Sequence, residues 1–363
     1  MTENAATDVS APTELSEASA PYDAILVVSF GGPEGMDDVM PFLENVLRGR
    51  NVPRERMLAV AHHYELFGGV SPINQQNRDL IAALRQSLDA HGIDLPIYWG
   101  NRNWRPLLPD TLREMARDGR RHALAYITSA YSSYSGCRQY LEDIERAQAE
   151  VGPGAPAVSA LRKFYNHPDF IRANADRVRA ALATIPAPQQ SEAAVVFTAH
   201  SIPLSMARNS HYVSQLREAG RLIAEELGLS DRWQLAYQSR SGPPSQPWLE
   251  PDICDTLRVL KNEGEAAVVV APIGFLSDHV EVLYDLDVEA RQLADGLGMT
   301  MARAQTVGTH PAFVDMIRQL VVERIQPGTE RRFLGSEGAS PDTCRADCCG
   351  GIASGRVETA KHE

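Results

Sequence analysis

Two apolar runs end in side chains that handle protons or a divalent metal. Residues 193–199 lead into His200-Ser201-Ile202-Pro203, and residues 266–273 lead into a segment that carries Asp278, His279 and Glu281. In an open α/β sheet, ligands bind beyond the carboxyl ends of the strands. A neutral imidazole there binds Fe²⁺ or Zn²⁺, or accepts a proton near pH 7, and a carboxylate opposite it supplies a second polar partner. Glu281, Asp285 and Glu289 lie four apart, a spacing that stacks them on one helical face, with Asp287 off that line. Like charges at this spacing destabilise a helix by about 0.2–0.5 kcal/mol per pair, which a nearby cation relieves. Blander readings stand beside these. The carboxylates fit a solvated face near a helix N-terminus, where the macrodipole favours them, and His200 fits a hydrogen-bonded histidine at a strand edge.

A third group is rich in glycine, serine and aromatic residues: Phe30-Gly31-Gly32-Pro33, Phe67-Gly68-Gly69-Val70-Ser71-Pro72 and Tyr131-Ser132-Ser133-Tyr134-Ser135-Gly136. Flat apolar surface with a few hydroxyl donors suits a large planar ligand with polar edges. Arg48, Arg50 and Arg102 are candidates to meet carboxylates at those edges in bidentate fashion. Aromatic residues at strand ends also form ordinary core rims. The chain lacks the His-Glu-x-x-His spacing of metalloproteases, the Gly-x-Ser-x-Gly elbow and the Walker phosphate loop, which weighs against protease, hydrolase and NTPase chemistry.

The elements that must position these residues alternate along the chain. Strands are expected at 24–30, 96–99, 122–129, 194–199, 233–238, 266–273 and 299–304, with helices over 36–47, 138–150, 212–227, 280–297 and 311–325. Short buried strands alternating with helices indicate an α/β protein with parallel sheets wound on both faces. The rhythm restarts after Pro186-Ala187-Pro188, so two related α/β domains with a cleft between them are expected. The divisions are a polar tail over 1–21, an N-terminal domain over 22–185, a C-terminal domain over 186–326 and a cysteine-containing extension over 327–363.

Bulk properties fit this picture. The 363 residues are 44 % hydrophobic and 23 % charged, and the net charge of -12 argues against a broad nucleic-acid surface. No apolar run approaches the roughly 18 residues of a bilayer span, and the first residues do not read as a secretory signal, so cytoplasmic residence is expected. Five cysteines are unevenly placed: Cys137 and Cys254 stand alone, whereas Cys344, Cys348 and Cys349 crowd together. In a reducing compartment such a cluster suggests metal ligation. Cys254, inside an apparent helix, reads as a small apolar residue.

The chain resembles the ferrochelatases, and among them the actinobacterial type, from Tyr22 to about Ile325. The resemblance is carried in order by residues 29–35, 67–74, 100–104, 197–203, 238–244 with 247–249, and 274–287. It implies two Rossmann-like domains facing each other across a porphyrin cleft. It also implies insertion of Fe²⁺, with His200 as metal ligand and proton acceptor, Glu281 as its partner, and Asp285 and Glu289 as an outer acidic relay. Ser71 and Tyr140 match porphyrin contacts; Phe30 replaces a tyrosine that in some relatives ligates the product iron, and a phenyl ring cannot do so. The actinobacterial likeness implies coproporphyrin III, with protoporphyrin IX as substrate, or another divalent metal in place of Fe²⁺, as the enzymatic alternatives. A [2Fe–2S] cluster held by Cys137, Cys344, Cys348 and Cys349 is implied by clusters in some members, with a four-thiolate zinc site as the competing reading. The partners so implied are coproporphyrin III, Fe²⁺ and, transiently, neighbouring haem-pathway enzymes, for a monomer with no nucleic acid and no membrane span. A haem- or cluster-binding sensor is the non-enzymatic alternative, and it has no need of both the histidine and the acidic row.

Overall fold

The computed structural model describes residues 21–49, 52–229, 232–243, 245–344 and 348–349. Arg50, residues 1–20 of the expected tail and residues 350–363 of the extension lie outside the described residues.

Among the described residues, eight strands form two wholly parallel sheets. The first contains β1 (Ala24–Ser29), β2 (Ile97–Asn101), β3 (His122–Ile127) and β4 (Ala157–Ala160) in the order β2-β1-β3-β4. The second contains β5 (Ala194–His200), β6 (Trp233–Gln238), β7 (Ala267–Ala271) and β8 (Thr300–Arg303) in the order β6-β5-β7-β8. Counted from its own first strand, each sheet has the same order, so the two halves repeat one topology. The winding direction reverses between β1 and β3, and again between β5 and β7. These are the switch points at which such sheets bind ligands.

Side-chain alternation explains how the strands are buried. In β1, Ile25 and Val27 face one way and Ala24, Leu26 and Val28 the other, and all five are buried. β5 does the same with Val195 and Phe197 against Ala194 and Val196. A strand covered on both faces needs such a continuous apolar run. The inner faces of both sheets join in one apolar cluster through the helices Ile73–Ala90, Pro168–Leu182, Tyr212–Leu227 and Pro311–Ile325. The outer face of the first sheet is covered by Leu108–Arg117 and Gln139–Val151, and that of the second by Ile253–Asn262 and the 280–296 segment. The helix Pro168–Leu182 lies against β7 and β8, and the last helix packs on both it and Ile73–Ala90.

All the expected strands are present with ends shifted by at most two residues, and β4 is an addition. Its sequence, Ala-Val-Ser-Ala, is short and sits at a sheet edge with little burial, so it lacks the apolar run that marks the others. The helix expected over 280–297 is a composite. Val280–Val282 is α-helical, Leu283–Ala290 is π-helical and Arg291–Gly296 returns to α. The i→i+5 bonds of a π-turn widen the helix, and such turns concentrate at functional sites. Among the described residues, no helix is long and apolar enough to cross a membrane.

Candidate active site

His200 is the last residue of β5, and Glu281 follows the loop that leaves β7, so the two come from either side of a switch point. Gly274 makes their meeting possible. Its N–H donates to Thr198 O at 3.0 Å, and a Cβ there would stand 2.5 Å from Ala199 Cβ. Only glycine permits so close a backbone approach. The loop therefore lies directly on the end of β5 and delivers Glu281 to the histidine. His200 Nε2 is 3.6 Å from Glu281 Oε2, with the two side chains 34 % and 48 % exposed, so both remain reachable. His200 Nδ1 lies 2.5 Å from Ser201 O. A carbonyl only accepts, so Nδ1 carries a proton, and Nε2 is the nitrogen that faces the carboxylate and donates to it once protonated. Tyr212 donates its hydroxyl to His200 O at 3.0 Å and steadies the strand end.

The electrostatics separate the acidic groups. Burial pulls the His200 imidazole down, but the hydrogen bond and charge of Glu281, with Ser201 O and Asp285, leave it above its ordinary value. Burial alone would raise Glu281; contact with His200 and the nearby His279 and His63 outweigh this and hold it at about 2. Asp285 is raised to about 7, mainly by burial and then by the charges of Glu281 and Glu289, against a hydrogen bond from Ser239. Glu289 is raised by burial and by Asp252. The expected row of Glu281, Asp285 and Glu289 is thus brought together, its members mutually repelling. Asp287 is off the row and paired with Arg303 at 2.7 Å.

Several neighbours were not singled out as site residues. Ser239 donates its hydroxyl to Asp285, Gln238 Nε2 donates to the same oxygen at 3.3 Å, and Gln238 Oε1 accepts from Thr198 Oγ1 at 2.9 Å. Ser239 adopts φ +61°, a conformation rarely taken by a non-glycine residue, which is the kind of local strain that marks functional positions. Both follow from the rule that found His200, since they lie at the carboxyl end of β6. His63, on the helix Arg54–Glu65, stacks on Tyr284 with ring centroids 3.6 Å apart, bridging the two halves beside the acidic row.

The opposing wall comes from the first half. Phe30 follows β1 and is 37 % exposed. Ser71 is buried against Gly32, where a Cβ would meet its hydroxyl. A cavity of about 230 Å³ lies among Phe30, Val46, Arg102, Asn103, Ser135 and Tyr140. The Arg102 guanidinium is paired with Asp143, lies 4.4 Å from the Tyr140 ring centre and 5.9 Å from that of Phe30, and is almost wholly buried. It braces the two rings while lining the cavity. Arg48 is exposed on the turn after the helix Met36–Val46. Tyr131 donates to Ile273 O at 3.1 Å and Gln215 exchanges hydrogen bonds with Ser132, so the carboxyl edges of the two sheets face one another.

Cys137 stands in a π-turn, Tyr134–Arg138, opened by Ser133, whose hydroxyl accepts from Gly136 N at 2.9 Å. The extension is pinned beside it. Arg162 binds both Glu323 oxygens at 2.7 and 2.8 Å and Arg332 O at 2.9 Å, and Asn166 donates to Leu334 O and Gly338 O. The thiols meet in a chain: Cys137 with Cys349, Cys349 with Cys348 at 3.7 Å, and Cys348 with Cys344. The Cys349 contact lowers the Cys137 thiol to about 5, against burial and with help from the Lys163 ammonium. Burial raises Cys344 to about 11, and its Cys137 contact raises Cys349 further still. Among the described residues, no three His, Cys, Asp or Glu side chains converge on a single ion. Cys254 is half-buried in the helix Ile253–Asn262 against the second sheet's outer cluster, as expected of a small apolar residue.

The sequence pattern of the ferrochelatase family matches residues 22–325. A ferrochelatase of Rhodopirellula baltica is 59 % identical over 330 residues, covering 91 % of this chain and 93 % of that protein. A coproporphyrin III ferrochelatase of Streptomyces coelicolor is 52 % identical over 354 residues, covering 91 % and 94 %. Among solved structures, the sirohydrochlorin chelatase SirB of Bacillus subtilis subspecies spizizenii, in complex with cobalt, aligns at a TM-score of 0.48 with 13 % identity over 86 % of this chain and 99 % of its own. The family match takes in both parallel sheets, the first-half wall and the paired His200 and Glu281: the chain belongs to the ferrochelatase family.

Proposed function

We propose that this chain inserts Fe²⁺ into coproporphyrin III, forming coproheme and releasing two protons. The observation that carries the reading is the 3.6 Å approach of His200 Nε2 to Glu281 Oε2 at the β5/β7 switch point, with Nδ1 tied to Ser201 O. The substrate assignment draws on the family relatives of actinobacteria, several of which are named coproporphyrin III ferrochelatase.

The chemistry follows from the protonation pattern. Two pyrrole N–H protons must leave as four nitrogens replace the water and protein ligands of Fe²⁺. Glu281, held well below the usual carboxylate range, stays charged and steadies the cation. His200, held above its ordinary value, accepts a proton at Nε2. Asp285, near 7, takes that proton onward, and Glu289 passes it toward solvent. Phe30 and Tyr140, braced by Arg102, offer an apolar rim to one edge of the macrocycle; their cavity is too small for the whole ring. Macrocycle distortion against that rim would expose nitrogen lone pairs and lower the barrier.

Cys137, Cys344, Cys348 and Cys349 fit a [2Fe–2S] cluster. Such a cluster takes four thiolates, two on each iron, and this set supplies four; a zinc ion held by the same four thiolates is the competing reading. Bound there, the cluster would supply a one-electron redox couple, and Lys163 would balance part of the thiolate charge.

The test is anaerobic turnover with coproporphyrin III and protoporphyrin IX side by side. The expected result is faster insertion into coproporphyrin III; preference for protoporphyrin IX overturns the substrate, and no insertion into either overturns the reaction.

A further inference from the structure

Asp278 and Asp287 flank the segment that carries Glu281 and Asp285, and one guanidinium holds both. Arg303, the last residue of β8, donates from Nε to Asp287 Oδ1 at 2.7 Å. It donates from Nη1 to Asp278 Oδ1 at 3.1 Å and from Nη2 to Asp278 Oδ2 at 3.4 Å. Arg303 and Asp278 are mostly buried and Asp287 is partly so, which limits screening by salt. Asp278 is tied to the other half as well: its N–H donates to Gln76 Oε1 at 2.8 Å. Gln76 stands near the start of the helix Ile73–Ala90, directly after Ser71 and Pro72. A continuous path of contacts therefore runs from the Ser71 loop through Gln76, Asp278 and Arg303 to Asp287. It passes behind the acidic row without including any member of it.

We propose that Arg303 is a positioning residue for metal insertion, stapling Asp278 to Asp287 so that Glu281 and Asp285 stand at a fixed place relative to a porphyrin held against the first half. The proposal rests on the reading of Glu281 and Asp285 as the iron-handling groups. Arginine suits the task because its planar fork meets two carboxylates at once, which a lysine ammonium on a flexible stem does not. An ion pair that served stability alone would, when broken, affect both substrates alike. A staple loosens the iron side selectively.

The experiment is steady-state insertion by the full-length protein under anaerobic conditions, varying Fe²⁺ at saturating coproporphyrin III and the reverse. The variants are Arg303→Lys, Arg303→Met, Asp287→Asn and the double variant Arg303→Met/Asp287→Asn. Arg318→Met, which breaks the Arg318–Asp315 pair of the last helix, is the control. KM for Fe²⁺ is expected to rise about 10- to 100-fold in Arg303→Met, the range found when a partner that orients a metal ligand is removed. Arg303→Lys recovers part of the loss, and Asp287→Asn adds nothing to Arg303→Met. The fluorescence-measured Kd for coproporphyrin III stays at the wild-type value. An unchanged KM for Fe²⁺ in Arg303→Met, equal weakening of both substrates, or the same change in Arg318→Met overturns the proposal. If Arg303→Met does not fold, Arg303→Lys decides on the same criterion. Wild-type protein that inserts no iron overturns instead the functional reading beneath it.

Discussion

Gly274 offers a direct test of how the His200 and Glu281 side chains are spaced. A Cβ at this position would stand 2.5 Å from Ala199 Cβ and 2.6 Å from Ala199 Cα. Carbon atoms settle at about 3.5–4.0 Å, so Gly274→Ala drives the loop about 1 Å away from the strand that carries His200. Ala199 is fully buried and cannot give way, and the bond from Gly274 N to Thr198 O is stretched. Overpacking of this kind destabilises by about 1–3 kcal/mol. The chemical effect is larger in proportion. The gap between His200 and Glu281, 3.6 Å at rest, widens with the loop, and a misplacement of about 1 Å lowers rates by about 100-fold, or about 2.7 kcal/mol of barrier. Single-turnover insertion of Fe²⁺ into coproporphyrin III, followed by absorbance, measures the rate, and calorimetry measures the stability. Gly296→Ala is the control, since a Cβ there meets open space and alanine is favoured over glycine in a helix by about 1 kcal/mol. A wild-type single-turnover rate in Gly274→Ala would refute the argument that this close approach sets the gap.

Three further outcomes are expected. Insertion should weaken as pH falls through the His200 value, because protonated Nε2 neither binds iron nor accepts a proton. In Glu281→Gln the charge that opposes burial is gone, so His200 falls and the acid limb of the kcat/KM profile moves to lower pH, with kcat reduced; an unmoved limb would assign it to another group. Arg162→Met leaves Glu323 buried without its partner, and denaturant unfolding should show a loss of about 3–5 kcal/mol, largely restored in Arg162→Met/Glu323→Leu. A loss below about 1 kcal/mol would show that the pair contributes little. Cys348→Ser should lower the iron and sulfide content of anaerobically purified protein, and unchanged content would contradict the four-thiol set.

The strands and the principal pair were legible because each rests on short-range pattern. β5 is an apolar run that ends in His200, β7 one whose following loop leads to Asp278 and Glu281, and the rule that ligands sit at strand ends then points to both. β4 escaped notice because an edge strand of four small residues has no run to detect. The π-turns at 134–138 and 283–290 also left no trace, since an i, i+4 spacing of carboxylates reads as α-helix in either geometry. Pairings between distant residues were hidden altogether. The Asp143 partner of Arg102 went unseen because nothing local announces it, and Arg303 carried no signal because its two partners lie 25 and 16 positions upstream. The cysteines fell between these cases: the crowding near the C-terminus was visible, but its approach to Cys137 depends on the anchors at Arg162 and Asn166.

The apolar cluster that runs unbroken from β1 to the last helix has a consequence for how a large disc gets in and out. Lobes welded along their backs cannot swing apart like jaws without tearing that seam, so admission falls to the rim. Met36, Leu58, Leu66 and Val70 project into solvent from the short segments around residues 36–70, outside the weld. This lip is tied to the site through His63 on Tyr284 and through Val280, so passage of a flat pigment across it is felt by the segment that carries Glu281.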